Sequence, residues 1–210
     1  MNLVKMGAVS AASVGGVAGT VALAKNIGST PVKKVKSVAD KLREEKFVLI
    51  SSEQEWSAML TKYNGKKGEA GARFDDVNVE AAVESLKSSC GKALSEDSST
   101  SQNYSKARRW CTVVKTLETH LTANALTLLN VKGTGDEDKD HWEKLQTSYE
   151  KLGSNAIAGL TFSEPDKWKA LRTKCKEISE KETVESDFDT LFNNLKSWCT
   201  RQEADKLVKQ

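Results

Sequence analysis

The stretch Tyr104-Ser105-Lys106-Ala107-Arg108-Arg109-Trp110-Cys111-Thr112 returns near the end of the chain as Phe192-Asn193-Asn194-Leu195-Lys196-Ser197-Trp198-Cys199-Thr200. The shared pattern is an aromatic residue, five intervening residues, then Trp-Cys-Thr. Self-similarity at a fixed spacing is the signature of a repeated structural unit, and it constrains the fold before any local propensity does. The echo extends upstream. Trp56, Thr61 and Tyr63 match Trp142, Thr147 and Tyr149 at an offset of 86, Leu86 and Cys90 match Leu171 and Cys175 at 85, and Trp110 and Cys111 match Trp198 and Cys199 at 88. All four cysteines and four of the five tryptophans pair in this way, and the offset drifts only across polar stretches, as it does when helices are kept and loops vary. The expected organisation is a helical module over 51–130, a linker over 131–136 and a second module over 137–210.

Modules of about 70–80 residues have thin cores and benefit from an added constraint. Charged residues make up 29% of the chain, and these Lys- and Glu-rich positions suit exposed helix faces. The net charge of only +3 argues against a nucleic-acid binder.

Residues 6–24 carry no charge and lie between Lys5 and Lys25, which fits a signal peptide or transmembrane anchor over 1–25. Ala22-Leu23-Ala24 has the form of a cleavage site, while Gly15 and Gly19, with Ala8, Ala12 and Gly16, permit close helix pairing. A flexible Gly/Ala tail is the bland alternative. Lys25, Lys33, Lys34 and Lys36 follow the segment and only Lys5 precedes it, so an uncleaved anchor would leave the bulk of the chain inside. A basic linker and short helix occupy 26–50, with Val35, Val38, Ala39 and Leu42 at helical spacing over 35–46. Phe47-Val48-Leu49-Ile50 is a strand or a packed connector.

The first module opens on a capping box, Ser52 with Glu55. Its first helix carries Trp56, Met59, Leu60 and Tyr63 on one face, and its second carries Val79, Ala82, Val83, Leu86, Cys90 and Ala93. Tyr104, Ala107, Cys111, Val114, Leu117, Leu121, Ala125 and Leu128 predict one long third helix at three-and-four spacing. In the second module Thr134 and Glu137 give a capping signal before a helix bearing Trp142, Leu145, Tyr149 and Leu152. The run Ser163-Glu164-Pro165-Asp166 opens the next, with Trp168, Leu171, Cys175 and Ile178 on its stripe. Val184, Phe188, Leu191, Leu195 and Cys199 mark the last. The fold class expected is all-α, as two tandem three-helix modules.

Each module places one cysteine on its second stripe and one on its third, in a seam between antiparallel neighbours where a disulfide is geometrically reasonable. The duplication favours Cys90–Cys111 and Cys175–Cys199 among the three connectivities, and four reduced, buried thiols are the alternative. Zinc is not expected, because no C-x-x-C spacing occurs and His120 and His141 are the only histidines. Nor is a Cys–His nucleophile, since the thiols sit on apolar stripes. Trp56, Tyr63, Trp110, Trp142, Tyr149, Trp168 and Trp198 read as structural core, with an aromatic binding groove between modules as the alternative. No catalytic, cofactor or metal site emerges.

Four features in order resemble the large paralogous families of uncharacterised proteins of haemotropic mycoplasmas, wall-less bacteria that live on red blood cells. They are the Gly/Ala segment from Gly7 to Ala24, Lys41–Ile50 leading into Trp56–Asn64, Leu86-x-x-x-Cys90, and Ala107-Arg108-Arg109-Trp110-Cys111-Thr112. The chain departs from the pattern at Glu45-Lys46-Phe47, where glycine is expected before the aromatic. The resemblance implies an exported or membrane-anchored, non-enzymatic protein that contacts a host-cell surface or antibody. It also strengthens the disulfide reading, because such a chain escapes cytosolic reductants. Loops 64–74, 95–103 and 153–163 are where variation would cost least stability. The alternative is an inward-facing, membrane-tethered scaffold, which the lysine distribution supports.

Overall fold

Side-chain caps and apolar stripes divide the chain into short helices. The computed structural model describes residues 35–74, 79–133, 135–152, 157–163 and 165–207. The expected signal or anchor over 1–25, the linker up to 34 and the Thr134 capping signal lie outside them. Among the described residues the structure is all-helical: α1 (Val38–Glu44), α2 (Glu53–Asn64), α3 (Val83–Ser95), α4 (Tyr104–Trp110), α5 (Leu117–Ala123), α6 (Lys139–Lys151), α7 (Lys167–Ser179), α8 (Phe188–Trp198) and α9 (Arg201–Leu207). No helix there is long and apolar enough to cross a membrane.

The predicted capping box at Ser52 is present: Glu55 N donates to Ser52 Oγ at 3.3 Å and Ser52 N to the Glu55 carboxylate at 3.1 Å. The backbone N–H of Ser52, with that of Ser51, holds the Glu55 carboxyl below its ordinary range. A second box, Ser37 with Asp40, opens α1. Thr116 caps α5 by accepting from Thr119 N at 3.2 Å.

α1 and α5 also end alike. Phe47 N donates to Leu42 O at 2.9 Å and Lys46 N to Arg43 O at 3.0 Å, while Leu126 N reaches Leu121 O and Ala125 N reaches Thr122 O. This is the Schellman closure, which requires a left-handed residue just past the helix. That residue is Lys46 (φ 67°) in one case and Ala125 (φ 57°) in the other. Lys46 therefore adopts a glycine-favoured conformation at the very position where the sequence departs from the resemblance.

The long third helix expected over 104–128 is broken. α4 stops at Trp110, residues 111–116 are non-helical, and α5 begins at Leu117. The β-branched run Thr112-Val113-Val114 has weak helix propensity. Tertiary hydrogen bonds then decide the matter, as Val113 N donates to Val48 O at 2.8 Å and Cys111 O accepts from Ile50 N at 3.1 Å. Phe47–Ile50 is thus a packed connector, with one isolated bridge between Leu49 and Thr112. In the second half α7 starts at Lys167 rather than in the Ser163–Asp166 run, Val184 precedes α8, and a short α9 follows Cys199.

α1, α2 and α4 pack on α3, α6 packs on α7 and α9, and α5 packs on α7 and α8. The helix placed by sequence in the N-terminal linker therefore joins the core, with Val38 and Leu42 fully buried. All described residues fall within one compact unit, Val35–Gln210. Glycine at position 125 adopts φ 57° without a Cβ penalty, and the Ala125 side chain is exposed, so little packing is lost. Ala125→Gly is expected to raise stability by about 0.5–1 kcal/mol, measured as the urea midpoint at unchanged m-value.

Candidate functional site

The most ordered chemistry in the chain is the pair of bridged seams. Cys90 on α3 is bonded to Cys111 just past α4, with 5.5 Å between Cα atoms, and Cys175 on α7 to Cys199 just past α8, at 5.7 Å. Each bridge adjoins an edge-to-face aromatic pair: Tyr63 with Trp110 at 5.1 Å between centroids, and Tyr149 with Trp198 at 4.8 Å. The tyrosine hydroxyls accept from the backbone of the following loops, Tyr63 from Phe74 N at 2.9 Å and Tyr149 from Ile157 N at 3.0 Å. Trp110 Nε1 donates to Ala72 O at 2.7 Å. Burial and a satisfied polar tip suit Tyr63, Trp110 and Tyr149 to these positions.

Of the other expected core residues, Trp142 and Trp168 are buried and Trp56 is partly buried against the core. The Arg172 guanidinium lies over the Trp168 ring at 4.9 Å. The loops expected to vary are anchored at several points. Asn64 Nδ2 donates to Ala81 O at 3.0 Å, and the Glu96 carboxylate accepts from Ser101 and Asn103. Lys67 and Ala70 are exposed side chains in the first of these loops.

Two buried polar groups are not prominent in the sequence. His120, 2% exposed, stacks on Phe47 at 4.2 Å and meets Phe192 at 4.9 Å and Phe188 at 5.6 Å. Burial, reinforced by the charges of Lys115 and Arg108, pushes its imidazole down to about 4, so it is neutral at physiological pH. Arg108 and Arg109 are both buried on α4. Arg108 Nη1 donates to Thr183 O at 2.8 Å and Arg109 Nε to Val184 O at 2.6 Å. Arg108 lies over the Phe188 ring at 4.2 Å and Arg109 over Trp110 at 4.5 Å. Arg108 and Arg109 both line an open cleft of about 280 Å3, shared with Glu69, Ser105, Lys106 and Ser186. Among the described residues no group of three metal-ligating side chains converges. The available sequence signal for the cleft was the adjacent arginine pair in Ala107-Arg108-Arg109-Trp110.

No family model, curated protein or solved structure matches the chain.

The bridges close loops of 21 and 24 residues. Replacing Cys90 and Cys111 together by alanine should cost about 3 kcal/mol in chemical denaturation. For His120, a folded value near 4 against an ordinary 6.5 means that the unfolded chain takes up a proton the folded chain refuses. Stability from this group is full above about pH 6.5 and falls as pH drops toward 4, by up to about 3 kcal/mol. His120→Phe should flatten the stability profile across that window relative to the parent.

Proposed function

We propose that this chain is a non-enzymatic protein displayed outside the membrane, anchored or released, whose helical modules meet a host-cell surface or antibody. The observation that carries the reading is the pair of disulfides, Cys90–Cys111 and Cys175–Cys199, each closing one helical seam. Such bonds persist in oxidising surroundings and are rare where glutathione and thioredoxin act. Buried hydroxyls serve the backbone: Thr112 Oγ1 donates to Arg108 O at 2.6 Å and Thr200 Oγ1 to Lys196 O at 2.8 Å. That use fits a structural role better than a catalytic one.

The same reading includes an internal duplication, drawn as α1–α4 and α5–α8 rather than as two three-helix modules. Supporting it are the matched caps, the left-handed closures, the aromatic pairs, and matched straps. Ile50 N donates to Cys111 O where Leu129 N donates to Cys199 O, and Val113 N to Val48 O where Arg201 N donates to Thr127 O. A membrane tether or signal at 1–25 completes the proposal. The inward-facing scaffold is the second reading, favoured by Lys25, Lys33, Lys34 and Lys36 after the apolar run.

Disulfide mapping on protein from its native cells, with free thiols trapped at lysis, separates the two. The outward reading expects both bridges intact and digestion of the modules by protease added to unbroken cells. Four trapped thiols together with protection from protease would favour the scaffold.

A further inference from the structure

We infer that the cleft bordered by Arg108 and Arg109 is a binding site for the phosphate group of a small, soluble phosphomonoester. Arg108 is 3% exposed and Arg109 9%, and both guanidiniums face protein without a carboxylate in ion-pair contact among the described residues. Their hydrogen bonds go to the neutral carbonyls of Thr183 and Val184, and Arg108 Nε has no partner. The one carboxylate on the cleft wall, Glu69, is engaged with Lys66 at 2.8 Å. Glu45 and Asp189 act on Arg108, and Glu69 and Glu185 on Arg109, only at longer range. Two like charges are thus buried on one short helix with no carboxylate in ion-pair contact among the described residues, an arrangement that a bound anion would relieve.

The remaining lining residues fit that anion. Lys106 is half-buried, and the hydroxyls of Ser105 and Ser186 are exposed at the rim. Three cations and two hydroxyls exceed the needs of a carboxylate, which brings one charge and two oxygens. A phosphomonoester brings nearly two charges and three strong acceptors. The guanidinium planes are set in advance, Arg108 by Phe188 and Thr183, Arg109 by Trp110 and Val184. Little ordering entropy is then left to lose on binding. At about 280 Å3 the cleft is smaller than sites that enclose a drug-sized molecule, so it takes the anionic end and leaves the rest of the ligand in solvent.

The test is titration of the oxidised full chain with inorganic phosphate and with glycerol 3-phosphate, at constant ionic strength, following the arginine Nε–H resonances by NMR. Saturable shifts of the Arg108 and Arg109 signals are expected with both probes, and none with equal charge of acetate or chloride. Lys106→Glu removes a half-buried cation with no ion pair among the described residues, so it should fold normally and weaken phosphate binding by at least about tenfold. Arg109→Gln should act in the same direction, and Lys106→Glu keeps the test sound if that variant fails to fold. Equal shifts with acetate or chloride would overturn the assignment. So would unchanged affinity in Lys106→Glu, no shift up to about 10 mM phosphate, or shifts seen only with phosphatidate vesicles.

Discussion

The covalent bond between the end of α4 and the middle of α3, with its counterpart between α8 and α7, is the constraint on which the rest of the structure depends. Cys111 and Cys199 sit where helices stop, and each acts through two groups. The sulfur ties the residue to the neighbouring helix, while the carbonyl accepts a backbone N–H from a strap segment, Ile50 in one case and Leu129 in the other. Bridge, helix end and strap are therefore fixed together. The tryptophan just before each cysteine is aimed by the same geometry at a tyrosine on the first long helix of its half. For a core this thin, local agreement among covalent, aromatic and backbone interactions does what a larger apolar interior would otherwise do.

The surface contributes far less. Pairs such as Lys174–Glu177 and Lys206–Glu203 lie one helical turn apart near the surface, where such pairs contribute about a few tenths of a kcal/mol at most. Asp138 is different. It accepts from Asn130 N at 2.8 Å and from Arg201 at 2.5 Å, joining the segment before α6 to α9. Burial pushes its carboxyl up, and these contacts outweigh that and hold it below its ordinary range. The polar interactions that shape the fold are thus few and mostly half-buried.

Much of the helical layout could be read from periodicity, because Leu86, Cys90 and Ala93, or Leu171, Cys175 and Ile178, are spaced by the helix itself. The break after Trp110 could not. Cys111, Val114, Leu117 and Leu121 continue a three-and-four spacing across a break in the helix, and the deciding hydrogen bond runs from Val113 to Val48, 65 residues away. The role of residues 38–50 was hidden for the same reason, since a short amphipathic helix reads alike whether it docks or not. The arginine cleft was obscured by residue type. Arg108 and Arg109 look like solvated charge until the helix is known to be only seven residues long and covered by Thr183 and Val184.

The straps also set an order of assembly. The bridges span 21 and 24 residues, so each seam can close within a contiguous helical pair. Segment 36–50, by contrast, finds its hydrogen-bond partners at 96–113. During synthesis it emerges before them and must wait until α3 and α4 exist before it can dock. Translocation of an unfolded chain followed by oxidation would meet the same sequence of events. Among the described helices, the first made is one of the last to find its place.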